Sequence, residues 1–288
     1  VFKNENQKKI VNGWIADGGI PHLLFHGSAG TGKTTLAKVL INELEVQDAD
    51  FMYINASRDN GVELIRKRIT SFSETMPFGP FKVILLDEAD YISAEGQAAL
   101  RGVMEQYHTV VRFILTCNYP NRIIPALHSR CQTMHISNLD SVDFTTRIAE
   151  ILLENSVDFE LEDIDDYVRA TYPDLRKTIN TVQQNVSEGK LAGPDGAETT
   201  TDWKLKMVGL FRESKLRAAR ELICKSATPE DYDDIFKFLY RNLDFFGSTD
   251  EQQDEAVLAI RNGMVKHTQV ADPEINLSAT MIELERIS

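Results

Sequence analysis

Gly27-Ser28-Ala29-Gly30-Thr31-Gly32-Lys33-Thr34 meets the spacing G-x-x-x-x-G-K-[ST] at every fixed position. The chemistry open to such a segment is phosphate binding. Glycines let successive backbone N–H groups curl around phosphate oxygens, and a following helix adds the partial positive charge of its N-terminus. In that arrangement Lys33 reaches the outer phosphates and the Thr34 hydroxyl helps to hold Mg²⁺, with Thr35 completing the nucleotide-contacting segment. A strand must deliver this loop and a helix must leave it. The apolar run Leu23-Leu24-Phe25 and the stretch Thr35–Leu40 read as that strand and that helix. The segment therefore predicts a nucleoside triphosphate site.

A second segment decides the fate of the nucleotide. Val83-Ile84-Leu85-Leu86 is a continuous apolar run that ends in Asp87-Glu88-Ala89-Asp90. Such a run suits a parallel strand buried on both faces, with functional groups just past its C-terminal end. Asp87 is expected to orient the Mg²⁺ shell. Glu88 is the natural base or water-positioner for attack on the γ-phosphate, and its carboxylate argues for hydrolysis rather than binding alone.

The elements that must position these groups alternate through the first half of the chain. Strands are expected near 22–26, 51–55, 82–87, 111–117 and 132–136. That alternation predicts an open parallel α/β sheet over residues 1–136, with its ligand at the C-terminal edge of the strands. Residues 137–188 read as helical, with Asp140 and Ser141 capping a helix over 144–155. Residues 189–201, with Gly193-Pro194-Asp195-Gly196 and three threonines, read as a linker. Amphipathic helices follow near 202–224, 229–246, 250–268 and 273–286. The 288 residues are enough for two or three domains. No apolar run is long enough to span a membrane. Cys117, Cys131 and Cys224 lack metal-ligand spacing and suit a reduced, cytoplasmic setting. The net charge of −13 speaks to solubility and leaves room for a locally basic surface.

With these motifs in order, the sequence resembles the AAA+ ATPases. Phe113-Ile114-Leu115-Thr116-Cys117-Asn118 looks like the strand that ends in the sensor 1 residue, which implies that Asn118 holds the attacking water or γ-phosphate. Ser129-Arg130-Cys131 resembles the triplet of sliding-clamp loaders, the small subunits of replication factor C and their phage counterparts. There the arginine acts in trans on the neighbouring subunit's ATP. Tyr172–Asn180 resembles the sensor 2 helix, which implies a cis arginine at Arg176, with Lys177 as a lesser substitute. Asn55-Ala56-Ser57 and the stretch Gln97–Glu105 match the same family, and the resemblance is specific from about Pro21 to Asn180. It implies an AAA+ core at 1–136, a helical lid at 137–188, a linker at 189–201 and an all-α oligomerisation collar at 202–288. The chain begins at Val1, and the aromatic and basic segment that the family closes over adenine does not precede the phosphate loop, so a longer protein is expected.

What the resemblance implies in function is ATP-dependent loading of a sliding clamp onto primer–template DNA by a ring of such subunits. The expected cofactors are ATP and Mg²⁺, and the ring is expected to hold several copies of this chain plus one different subunit. The expected location is the cytoplasm, or a viral replication complex within it. Arg58, Arg66, Lys67 and Arg101 are the candidates for duplex phosphate contacts, with Arg66 foremost. Phe72, Met76 and Phe78 are the candidates for gripping the clamp. Two other readings are a different AAA+ DNA motor (a branch-migration helicase or an initiator) and a non-catalytic scaffold subunit. The short span between Asp90 and Arg112 weighs against the first, and the presence of Lys33, Glu88 and Arg130 against the second.

Overall fold

Strand β1 (Leu23–His26) is an inner strand of a five-stranded sheet, flanked on one side by β4 (Val111–Cys117) and on the other by the edge strand β5 (Gln132–His135). Beyond β4 lie β3 (Lys82–Asp87) and then β2 (Phe51–Asn55) at the edge, giving the order β2-β3-β4-β1-β5 with every pairing parallel. The computed structural model describes residues 5–58, 62–193, 203–228, 230–267 and 269–287. They form two compact units, 1–140 and 141–288.

The first unit is a three-layer sandwich, and the alternation of side chains along each strand builds its two cores. Leu23, Phe25, Val83, Leu85 and Ile114 face one side, where they bury Val11 of α1 (Glu5–Ala16) and Leu36, Ala37 and Leu40 of α2 (Lys33–Glu43). Leu24, Ile84, Leu86, Phe113 and Leu115 face the other, against Ile69 of α3 (Val62–Glu74) and Leu100, Val103 and Met104 of α4 (Ala94–Gln106). Burial on both faces explains why β3 reads as unbroken hydrophobic sequence rather than as alternation. Ser93 caps α4, its hydroxyl accepting from Gly96 N at 3.2 Å. A short helix α5 (Pro125–His128) joins β4 to β5. The chain leaves β1 toward the β2 edge and later crosses to β5 on the far side. The sheet therefore changes direction at β1, the place where open α/β sheets bind ligands.

The second unit holds α6 (Ser141–Glu154), α7 (Leu161–Thr171) and α8 (Leu175–Gln184), a hairpin of β6 (Val186–Ser187) and β7 (Lys190–Leu191), then α9 (Trp203–Arg212), α10 (Leu216–Ser226), α11 (Tyr232–Arg241), α12 (Asp250–His267) and α13 (Pro273–Glu285). Residues 194–201 of the expected linker lie outside the described residues, as do 202, 229 and 268 at the expected helix ends. Gly189 to Leu191, expected as the start of that linker, instead forms the hairpin turn and β7, where Leu191 is buried. The helix expected over 202–224 is two helices. Ser214 turns into the left-handed region (φ 56°), and Lys215 N returns to Leu210 O at 2.8 Å, which closes α9 before α10 starts. The region expected as lid and the region expected as collar pack together. Arg212 of α9 reaches the buried Asp166 of α7 at 2.8 Å, and Arg169 of α7 reaches Asp244 at 2.8 Å. Burial pushes the Asp166 carboxyl up to about 6 despite that partner. Among the described residues no helix is long and apolar enough to cross a membrane.

Candidate active site

The loop after β1 owes its path to glycine. Gly27 has φ 156°, and a Cβ there would lie 2.2 Å from the Ile136 carbonyl oxygen. Gly32 has φ 88° and caps α2 from the left-handed region, so that Lys33 opens the helix. Lys33 is buried, and its ammonium donates to the carbonyl oxygens of Gly27 (2.9 Å) and Ser28 (2.7 Å) and to Asn118 Oδ1 (2.8 Å). Thr31 Oγ1 closes the loop onto Ser28 O at 2.9 Å. Ala29 and Thr35 are exposed beside it.

Asp87 ends β3 with its carboxylate almost fully committed. Oδ1 accepts from Thr34 Oγ1 (2.7 Å) and from Thr116 Oγ1 (2.5 Å), and Oδ2 accepts from Tyr53 OH (3.0 Å). Thr116 and Tyr53 are the residues that motif reading missed. The signal for Thr116 was a hydroxyl inside an otherwise apolar strand; nothing local marked Tyr53, which reaches Asp87 only because β2 pairs with β3. Thr116 Oγ1 also accepts from Glu88 N at 3.1 Å, tying the two acidic residues to β4. Glu88 itself turns into the left-handed region (φ 57°), half-buried, and its carboxylate has no hydrogen-bond partner among the described residues. Asp90 Oδ2 accepts from Asn118 N (3.2 Å) and Tyr119 N (3.1 Å), so the fourth residue of the acidic segment sets the backbone around Asn118. The Cys117 thiol next to it is pushed up to about 12, by burial first and by the Asp90 charge second, and stays protonated.

The structure thus brings together Lys33, Thr34, Asp87, Glu88 and Asn118 at one edge of the sheet. The paired oxygens of Thr34 and Asp87 suit a hard divalent cation such as Mg²⁺. Arg130 lies beyond α5 with its guanidinium bound to Ala126 O (2.7 Å), Ser129 Oγ (3.2 Å) and the Glu105 carboxylate. Arg176 and Lys177 are exposed on the first turn of α8 in the second unit, where Asp174 caps the helix by accepting from Lys177 N at 3.1 Å. Arg58, Arg66, Lys67 and Arg101 are exposed cations of the first unit, and Arg101 is paired with Glu105 at 3.7 Å. Residues 59–61, between Arg58 and α3, lie outside the described residues.

The apolar segment at 72–81 stands at the opposite, N-terminal edge of the sheet, before β3. Met76 and Phe78 are 83% and 77% exposed. Phe72, the third of these candidates, packs half-buried against the core, and the buried Lys82 ammonium sits 4.4 Å over its ring. The buried Asp50 pins the Phe78 loop by accepting from Phe78 N (2.8 Å) and Gly79 N (2.7 Å). Asp50→Ala leaves both donors without that acceptor, and the expected loss is about 2 kcal/mol in urea unfolding, with faster hydrogen exchange at the two amides. Unchanged stability and exchange would show that Asp50 does not hold the loop.

A family model described as the ATPase family associated with various cellular activities (AAA) matches residues 23–138. The chain is 32% identical to the replication factor C small subunit of Methanococcus vannielii, over 96% of this chain and 91% of that protein. It is 32% identical to replication factor C small subunit 1 of Pyrobaculum islandicum, over 98% and 89% respectively. Among solved structures, the Thermotoga maritima RuvB Holliday junction branch migration motor aligns with a TM-score of 0.53 and 17% identity, over 63% of this chain and 61% of that one. That likeness shows the fold alone. The chain binds nucleotide as an ATPase. Because the identity to the small subunits runs through both units rather than ending with the ATPase core, the chain belongs to the replication factor C small-subunit family, the AAA+ ATPases of sliding-clamp loaders.

Proposed function

We propose that this chain is an ATPase subunit of a ring that loads a sliding clamp onto primer–template DNA, several copies joining one different subunit. The observation that carries the reading is the near-full-length identity to replication factor C small subunits, which includes the helices of 141–288. The fold likeness to a branch-migration motor covers much less of the chain at half the identity, and favours no second reading.

In this reading, residues 141–188 act as lid and 202–288 as collar. Thr34 and Asp87 hold Mg²⁺, which when bound neutralises charge on the β- and γ-phosphates. Lys33 and the loop amides bind the phosphates, and Lys33 and Asp90 keep Asn118 in place beside the γ-phosphate. Glu88, with its uncommitted carboxylate, orients the attacking water and takes its proton. Arg176 serves as the cis arginine, and Arg130 of a neighbour stabilises the charge that develops on the transferred group. Met76 and Phe78 meet the clamp, and Arg58, Arg66, Lys67 and Arg101 meet duplex phosphates.

Steady-state ATP hydrolysis tests this directly, with no DNA, blunt duplex and primer–template, each with and without sliding clamp and companion subunit. Turnover is expected to rise several-fold with primer–template and clamp together. Arg130→Ala is expected to remove about a thousandfold from the chemical step. Turnover indifferent to clamp and junction would leave the ATPase but remove clamp loading, and a DNA-motor role would take its place.

A further inference from the structure

We propose that Glu105 is the positioning residue of the arginine finger, holding the Arg130 guanidinium in the orientation it presents to a neighbouring subunit's nucleotide. The inference rests on the trans role of Arg130 proposed above and extends it to a residue on another helix. Glu105 stands on the last turn of α4, twenty-five residues before Arg130 in sequence. Its Oε1 pairs directly with Arg130 Nη2, while Arg130 Nη1 donates to Ala126 O at 2.7 Å and to Ser129 Oγ at 3.2 Å. The guanidinium is planar, so holding both terminal nitrogens from two different elements sets its plane as well as its place. Nε–H and the second Nη2 hydrogen have no partner among the described residues, and the side chain keeps 32% of its surface exposed, which leaves donors for a phosphate.

The support behind Glu105 is itself braced. Gln97, buried on the same helix, donates to Arg122 O at 3.0 Å and accepts from Ile124 N at 2.8 Å, locking α4 to the segment that enters α5. Arg101 approaches the same Glu105 oxygen more loosely, Nε at 3.7 Å. An ion pair this exposed adds little to folding stability, so the pairing matters through orientation. Displacing a transition-state contact by about 1 Å is enough to cost a large factor in rate.

The test is complementation in assemblies of the full chain with its companion subunit, clamp and primer–template. A Lys33→Ala chain supplies a finger but lacks a working phosphate loop; an Arg130→Ala chain has the loop but no finger. Mixing the two is expected to restore ATP turnover wherever they adjoin. With Glu105→Ala added to the Lys33→Ala chain, the restored kcat is expected to fall about tenfold with the KM for ATP little changed, a fraction of what a finger supplies. Glu105→Gln, which keeps an acceptor oxygen, is expected to recover part of that loss. Added instead to the Arg130→Ala chain, Glu105→Ala is expected to cause no further loss, because that chain has no finger to position. Thermal unfolding of each variant separates misfolding from misplacement. Full restoration by the Glu105→Ala donor, or equal loss from either placement, overturns the role of Glu105 while leaving the trans finger intact. Failure of the parent mixture to restore turnover overturns the trans reading and the proposal with it.

Discussion

Glu88→Gln is expected to bind ATP as the parent does and to hydrolyse it about 10²- to 10⁴-fold more slowly, the usual contribution of a positioned general base. In free energy that is about 3–5 kcal/mol of lost transition-state stabilisation. The separation of binding from chemistry follows from the way the two adjacent acids are used. Asp87 accepts from Thr34, Thr116 and Tyr53, so it is part of the scaffold. Glu88 turns out of the strand in the left-handed region and commits only its backbone, the N–H to Thr116 Oγ1 and the carbonyl to Tyr91 N. Removing its charge disturbs no protein hydrogen bond of the side chain among the described residues, and folding stability should hold. Single-turnover hydrolysis alongside equilibrium binding of a fluorescent ATP analogue measures both halves. A variant that turns over at the parental rate would remove Glu88 from the mechanism, and one that loses binding would make it a structural residue.

Gly27→Ala carries the second large effect, and here the prediction comes from packing. The added Cβ would meet the Ile136 carbonyl oxygen at 2.2 Å. That oxygen cannot swing away as a side chain would, because Ile136 is held by its own backbone bond to His26 O at 2.7 Å. Either the loop or the end of β5 must shift. The expected cost is about 3 kcal/mol of stability, the upper range for forcing atoms into a packed site. Loss of ATP binding should accompany it, since the carbonyls of Gly27 and Ser28 hold Lys33. Gly32→Ala is the informative contrast. Nothing lies within 4 Å of its added Cβ, so it meets only the left-handed strain of φ 88°, about 1–2 kcal/mol. Urea unfolding of both variants beside the parent decides the point; a Gly27→Ala protein as stable as Gly32→Ala would mean that the clash relaxes without consequence.

Glu88 is marked in the sequence by its place after an apolar strand, whereas the contact that constrains Gly27 comes from a residue more than a hundred positions away. The strand expected near 22–26 is Leu23–His26, and that near 132–136 is Gln132–His135. A phosphate loop is a local object whose spacing encodes a turn and a helix start, and a strand buried on both faces announces itself as an apolar run. Weak local encoding accounts for the departures. Ser214 carries no glycine to announce the break between α9 and α10, and the hairpin at 186–191 is too short to show a period. Phe72 reads as apolar either way; only its packing in the fold shows that it is half-buried against the core, with the Lys82 ammonium over its ring.

Short-range pattern was enough to place the candidate groups and their order along the chain: a phosphate loop, an acidic pair after an apolar strand, a polar amide after another, and a Ser-Arg-Cys triplet. In each, residue type and spacing alone constrain the backbone. Which of these groups touch is a property of the folded chain. Strand order puts Tyr53 and Thr116 on Asp87 from either side, β5 brings the Ile136 carbonyl against Gly27, and α4 carries Glu105 to Arg130. These pairings join residues far apart in the chain. They are set by how strands register and how helices pack across the sheet, which depends on the whole set of side chains at once rather than on any one segment.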